Sequence, residues 1–305
     1  MTIKVTDTYF YFDEAGEKGY VKSKPSKVDF GIIAGFALDG PNLAPFQTEA
    51  ENMLRSLITL CTQHGFKAHC SAIASCGVKE IQDEFHQARN KVQNFLLNEQ
   101  VLIFYTAIYS LGFFFVRKRR EEIKKQSMLL RRSPIQITSH NTSESLYEIL
   151  FENILIQLDE FNKIEERGNM LIVSDHIDPG IEKKLRRCLE KLSQAEHERT
   201  VKGYDVSKGK KHLAKITITA TNFDNAIRTI MDIEIDTENS PLTFMADILC
   251  NDLYRHLHSK VAIESDIGLN CRRAIEDFPL YLKIPFVEDE NFLDKAYSGN
   301  QIIRE

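Results

Sequence analysis

The apolar residues of the chain fall into two patterns: short continuous runs, and longer segments in which they recur every three or four positions. The short runs are rich in aromatic and β-branched residues and predict strands over 9–12, 28–38, 101–109, 169–175 and 214–220. The periodic segments predict amphipathic helices over 46–63, 78–98, 143–161, 182–198 and 241–259. Polar, glycine-containing segments predict turns or loops at 17–27, 39–42 and 199–211. This order predicts an α/β fold with a mostly parallel inner sheet.

The first predicted strand is followed directly by two acidic residues. Tyr9-Phe10-Tyr11-Phe12 runs directly into Asp13 and Glu14, and Gly16 supplies a turn. Four consecutive aromatic residues are typical of a strand that is covered on both faces. Because Asp is disfavoured inside strands, both acids are predicted at the carboxyl end, where open α/β sheets place ligand crevices. The alternative interpretation is an acidic surface loop.

Two later acids occupy similar settings. Asp175 ends the apolar strand at 169–175, and Asp247 lies beside the apolar stripe of the last predicted helix. If the two acid-tipped strands are parallel neighbours, Asp13 and Asp175 emerge side by side, and Asp247 reaches them from a helix packed across their tips. Such carboxylates repel by about 4 kcal/mol per close pair at an effective dielectric constant near 20, so the cluster requires cations. Hard oxygen ligands suit Mg²⁺ or Mn²⁺, while each acid taken singly also fits a turn or salt bridge.

Four short segments extend this pattern into a family resemblance. They are Phe10-Tyr11-Phe12-Asp13-Glu14-Ala15-Gly16, Lys67-Ala68-His69-Cys70-Ser71, the strand at 170–175, and Phe244-Met245-Ala246-Asp247-Ile248-Leu249. In this order they resemble the domain-of-unknown-function 3800 family, which has an Asp-Glu-Ser-Gly opening motif, a Glu-Leu-His-Gly-Ser-like segment, an inner strand ending in Asp, and a Gln-Leu-Ala-Asp-Leu helix. The resemblance covers roughly residues 10–259.

The resemblance implies a ribonuclease H-like α/β protein, with a mixed sheet flanked by helices. That superfamily contains metal-dependent nucleases. Carried over to this chain, Asp13, Asp175 and Asp247 are expected to hold Mg²⁺ or Mn²⁺, with Glu14 as a catalytic helper. His69 is expected to position the attacking water or to contact a phosphate, with a structural histidine as the alternative.

The chain departs from the family pattern at three positions. Ala15 replaces the usual Ser, and Phe244 stands near the usual Gln. Ala68 stands where an acid often precedes the His, so the fourth carboxylate ligand is missing. A zinc site built from Cys61, His64 and neighbouring residues is a weaker alternative, because no paired cysteine knuckle follows.

Charge is distributed unevenly along the 305 residues. The net charge of −5 excludes a globally basic nucleic-acid binder, although a local basic patch serves as well. A basic insertion at about 117–142 is predicted to leave the core and to contact the nucleic-acid backbone through Arg117, Lys118, Arg119, Arg120, Lys124 and Lys125. We expect one domain over 1–285 that includes this insertion, followed by a C-terminal tail at 286–305.

Six cysteines in a chain of this length, with no secretory signal, favour a reducing cytoplasm. The apolar segment 101–116 is too short to span a bilayer and favours a buried strand, with a membrane-associated effector as a weaker alternative.

The sequence therefore predicts a cytoplasmic, metal-dependent nuclease that hydrolyses phosphodiester bonds in RNA or DNA. Families of this kind often resemble parts of prokaryotic defence or toxin modules, so an effector role in such a module, with a protein partner from that system, is an expectation from the resemblance alone. The alternative is a catalytically degraded nucleic-acid-binding or structural subunit of the same fold. The oligomeric state stays open.

Overall fold

The computed structural model describes residues 8–17, 19, 26, 29–130, 135–137, 145–175, 179–193, 196–205, 210–219, 227–235, 240–263 and 274–285. The predicted tail at 286–305 and the end of the insertion at 138–142 lie outside these residues. The strands are β1 (Thr8–Gly16), β2 (Phe30–Asp39), β3 (Leu102–Tyr109), β4 (Ile135–Ile137), β5 (Met170–Ser174), β6 (Glu196–Asp205), β7 (Lys210–Thr219) and β8 (Ile230–Ile235). The helices are α1 (Gly40–Gln63), α2 (Cys70–Ser75), α3 (Lys79–Asn98), α4 (Ser110–Leu130), α5 (Leu146–Ile164), α6 (Pro179–Ser193) and α7 (Pro241–Ile263), with a 3₁₀ turn at Tyr281–Lys283.

A five-stranded open sheet in the order β3-β2-β1-β5-β8 forms the centre of the protein. The pairs β1–β2 and β2–β3 are antiparallel, whereas β1–β5 and β5–β8 are parallel. The predicted α/β class and the mixed sheet flanked by helices are therefore confirmed. The expectation of a mostly parallel inner sheet was wrong, because β1 is antiparallel to β2 and parallel to β5.

Alternation along β1 divides its side chains between two apolar cores. Phe10 and Phe12 are fully buried in the core that contains α5 and α6. Tyr11 and Ala15 belong to the opposite core, with residues of α1, α3 and α7. Gly35 of β2 allows β1 to pack this closely, because a Cβ at that position would lie 2.1 Å from the Tyr11 carbonyl oxygen. Burial of each Phe contributes about 2–3 kcal/mol, so β1 anchors both layers.

Several predicted boundaries change in the structure. Helix α1 begins at Gly40 rather than at 46, because Pro41 lies in its first turn, where a fixed φ and a missing N–H are tolerated. β1 continues through Asp13 to Gly16, because β2 pairs with it as far as Gly31. The predicted loop at 199–211 is wrong over its described residues, which belong to β6 and β7.

The basic insertion also has regular structure. Residues up to Leu130 continue α4, and Ile135–Ile137 forms β4. β4 pairs with β6, and β6 with β7, in a separate three-stranded antiparallel sheet. The apolar segment 101–116 is divided between β3 and the first turns of α4. In the part of the chain that the structure describes, no helix combines the length and the apolar character needed to cross a membrane.

Candidate metal centre

Asp13 and Asp175 occupy equivalent positions on neighbouring strands. The parallel ladder of β1 and β5 pairs Phe12 with Ser174; Asp13 is the next residue of β1, and Asp175 directly follows the end of β5. Tyr11 and Val173, two positions earlier, are paired and belong to the same core as α7. Because side chains alternate along a strand, both acids are expected on the sheet face that α7 covers.

The structure brings Asp13 together with Asp247 of α7 and His69, which immediately precedes α2. Each offers a ligand atom, and these atoms lie within 4.8 Å of one another. Asp13 and Asp247 are only 6% and 2% exposed, whereas the side chain of His69 is 38% exposed. Within the described ranges, no other set of three His, Cys, Asp or Glu residues meets this criterion. The group is therefore a buried acidic pair with a histidine on its solvent side.

Hydrogen bonds fix Asp247 between two helices. The backbone N–H of Cys70, the first residue of α2, donates to Oδ2 of Asp247 at 2.6 Å. Nδ2 of Asn251, one turn further along α7, donates to Oδ1 at 2.7 Å. The carboxylate thus ties the start of α2 to α7.

His69 caps α2 through its side chain. Its Nδ1 accepts from the backbone N–H of Ser71 at 3.2 Å and lies 3.7 Å from Oδ2 of Asp247. The neutral ring that accepts at Nδ1 carries its proton on Nε2. Donation of Nδ1 to a metal requires release of the Ser71 N–H, whereas ligation through Nε2 requires the other tautomer.

Asp13 is less fully compensated than Asp247, although a backbone hydrogen bond at Glu14 favours its charged form. Its buried Oδ2 has no hydrogen-bond partner among the described atoms. Burial raises the pKa of Asp13 well above its usual value, and the charges of Glu14 and Asp247 and a hydrogen bond shared with Asp247 raise it further. Two adjacent buried carboxylates must share a proton or bind a cation. The carboxylate oxygen without a partner and the two carboxylates fit a divalent ion. Because the imidazole adds a nitrogen ligand, the site fits Mn²⁺ as well as Mg²⁺.

Two buried thiols border the acidic pair. Burial, and then the charges of nearby carboxylates, raises the pKa of Cys70 and Cys250 above the usual thiol value. The largest of these charges is that of Asp247 for Cys70 and that of Asp13 for Cys250. Both thiols therefore remain protonated at neutral pH and add no negative charge.

Asp175 lies outside the three-residue group. Its carboxylate forms an ion pair with the ammonium of Lys67, two residues before His69. The Asp175 side chain is 18% exposed and that of Lys67 is 33% exposed. The predicted third acidic ligand thus lies at the same sheet edge but has a protein cation as its partner.

Glu14 is directed to the opposite side of the sheet from Asp13. Its Oε2 accepts a hydrogen bond from the hydroxyl of Tyr147, in the first turn of α5, at 3.2 Å. Burial raises the pKa of Tyr147, and the charges of Glu14 and Asp13 raise it further, so the phenol remains a donor. The structure therefore separates Glu14 from the acidic pair that it was expected to help.

The predicted nucleic-acid-binding residues begin along α4, whose start packs against β2 and β3. Arg117 pairs with Glu121 at 3.4 Å, while Lys118 and Arg119 are exposed. The side chains of Arg120, Lys124 and Lys125 lie outside the described part of the protein.

Sequence reasoning missed Lys67 and Asn251 as neighbours of the site. Asn251 could have been found, because it lies four residues after Asp247 on a predicted helix and so shares its face. Lys67 gave no comparable signal, because its contact with Asp175 spans 108 residues. The alternative zinc residues Cys61 and His64 form no such group in the part of the chain that is described.

The fold and the site together define an α/β protein in which two buried aspartates and a partly exposed histidine lie at one edge of a mixed sheet. No protein-family model, curated protein or solved structure matches the chain. Its own geometry therefore supplies the support for a function.

Proposed function

We propose that this protein is a ribonuclease H-like nuclease that hydrolyses phosphodiester bonds in RNA or DNA with Mg²⁺ or Mn²⁺. The observation that carries the proposal is the buried pair Asp13 and Asp247, with an orphaned carboxylate oxygen and His69 on its exposed side. The five-stranded mixed sheet is compatible with such a fold. The resemblance of the motifs around Asp13 and Asp247 supplies the reaction class.

In this proposal Asp13 and Asp247 hold the ion, and the hydrogen bonds from Cys70 and Asn251 keep Asp247 oriented. A bound divalent ion supplies Lewis-acid stabilisation of the phosphate and lowers the pKa of water. His69 can contact a phosphate or a water from the solvent side, because its ring is partly exposed. The exposed cations of α4 are proposed to bind the nucleic-acid backbone.

The decisive test measures cleavage of labelled single- and double-stranded RNA and DNA with Mn²⁺ or Mg²⁺. Asp13→Asn should lower cleavage roughly 100-fold or more, since even partners outside the ligand shell usually change metal affinity or activity 10- to 100-fold. Asp83→Asn, at an exposed acid of α3, is the matched control and should cleave like the parent. Equal cleavage by Asp13→Asn and the parent would exclude the assignment.

A second candidate is a nucleic-acid-binding or structural subunit with no catalysis. The hydrogen bonding of Asp247 favours it, because both carboxylate oxygens already accept bonds from the protein. In that case Asp13 shares a proton with Asp247 and no ion is needed. An ion at 100 times its Kd stabilises a protein by about 2.7 kcal/mol, so an unchanged melting temperature in excess Mn²⁺ favours this second function. A role in a defence module, with a protein partner, is the setting we propose for either function.

A further inference from the structure

Lys67 and His69 lie on the same side of the segment that joins α1 to α2. The backbone of His69 is extended, with φ −151° and ψ 138°. Ala68 and Cys70 are buried in the apolar core, whereas Lys67 and His69 are partly exposed. This alternation, which is typical of extended backbone, directs the lysine and the histidine towards the same edge of the sheet. Lys67 pairs with Asp175, and it lies two residues before His69 of the three-residue group.

The formal charges at this edge match one divalent ion. Glu14 accepts a hydrogen bond from Tyr147 on the opposite side of the sheet, which leaves Asp13, Asp175 and Asp247, and Lys67 neutralises the carboxylate of Asp175. One divalent ion neutralises the other two, Asp13 and Asp247, whose ligand atoms lie within 4.8 Å of one another. A second divalent ion would leave an excess of positive charge beside the lysine, in a site with few carboxylate ligands.

Resting on the proposed function, we propose that the site binds a single divalent ion and that Lys67 takes the place of a second cation. An ammonium is a compact charge with three donors, so it can pair with Asp175 and also face a phosphate oxygen. Two-ion sites hold their ions about 3.5–4 Å apart across the phosphate. In this protein we assign the place of the second ion to the ammonium group of Lys67. Lys67 donates to the phosphate and, through its ion pair with Asp175, limits the number of ions.

The test counts ions directly. Mn²⁺ binding to the full chain is measured by isothermal titration and by the electron paramagnetic resonance signal of free Mn²⁺. The parent should bind one Mn²⁺ per chain, and Asp175→Asn should keep that ion with its Kd changed less than threefold. Asp13→Asn should weaken binding more than tenfold, because it removes a ligand.

The lysine variants examine the exclusion of the second ion. Lys67→Met should bind a second Mn²⁺ through Asp175, and the double variant Lys67→Met, Asp175→Asn should return to one. Lys79→Met, at an exposed lysine in the first turn of α3, is the matched control and should behave like the parent. Urea unfolding of each lysine variant verifies that it is folded. We expect Lys67→Met to fold, because the Lys67 side chain is partly exposed.

The outcomes separate this inference from the proposed function. Two ions on the parent, or a loss of affinity in Asp175→Asn as large as that in Asp13→Asn, would overturn the single-ion assignment and leave a metal-dependent enzyme. One ion on Lys67→Met would overturn the role of the lysine. No Mn²⁺ on the parent would overturn both the inference and the proposed function.

Discussion

We predict that the ion-free protein loses stability as the pH rises and that Asp13→Asn removes much of this loss. Asp13 titrates near 3.8 in the unfolded chain, and its pKa in the folded protein is raised. Between these two values the folded state keeps a proton that the unfolded state has lost. The free energy of unfolding therefore decreases with increasing pH from about 4 up to the pKa of the folded state.

The size of the effect follows from the two carboxylates. At the 4.8 Å limit of their separation, two unit charges repel by about 3.5 kcal/mol at an effective dielectric constant near 20. The slope cannot exceed about 1.4 kcal/mol per pH unit for one proton. An amide at position 13 carries no charge and can donate to Asp247, so we expect Asp13→Asn to stabilise the ion-free protein by about 2–3 kcal/mol at pH 8.

Urea unfolding in excess chelator at pH 5 and pH 8 measures this effect. With a slope of roughly 3 kcal/mol per molar urea, the midpoint of Asp13→Asn should exceed that of the parent by about 0.8 M at pH 8, with a smaller difference at pH 5. Asp83→Asn should stay within about 0.5 kcal/mol of the parent at both values, because its side chain is exposed. A midpoint for Asp13→Asn below that of the parent at pH 8 would show that Asp13 carries no uncompensated charge.

Three further changes test other parts of the structure. Asp159→Ala should lower the free energy of unfolding in urea by about 3 kcal/mol without changing Mn²⁺ affinity. The reason is that Asp159 is buried and accepts hydrogen bonds from the N–H groups of Arg228 and Thr229 at 2.8 Å each. Glu160→Ala, at an exposed position, is the control. Glu14→Gln should leave the Mn²⁺-induced rise in melting temperature intact, and a rise reduced as much as in Asp13→Asn would contradict the separation of the two acids by the sheet. Replacing Lys118 and Arg119 with Ala should reduce the salt dependence of nucleic-acid binding by a slope of about 1–2, and an unchanged slope in filter binding would remove α4 from the interface.

The parts of the fold that could be predicted are those whose signal is local. α3 runs over Lys79–Asn98, and its helical period was visible over nearly the same residues. β8 escaped prediction because Ile-Met-Asp-Ile-Glu-Ile is short and its pairing with β5 is not encoded near it in the chain. The strand predicted over 214–220 is confirmed as far as Thr219 as the second half of β7, but its partner β6 and the start of β7 were missed, since their polar residues are also typical of a loop.

In the site, too, only the residues with a local signal could be predicted. Asp13 and Asp247 could be selected as acids embedded in apolar elements, which is unusual enough to indicate a role. Glu14 could have been set apart by the period of two in a strand, because adjacent residues face opposite sides once Asp13 lies inside β1 rather than after it. The partner of Asp175 depends on the path of the chain between α1 and α2, which no local pattern specifies.

Ala68 stands where the family resemblance led us to look for a fourth acid. Its side chain is 4% exposed and packs in the core with residues of α1 and α7. A carboxylate there would be desolvated in the apolar core and would require a cation or a hydrogen-bonding partner. The chain instead has a small apolar residue at this position and a lysine immediately before it, and both lower the negative charge of the site. The absence of an acid at 68 and the pairing of Lys67 with Asp175 are thus two independent features that favour one ion over two.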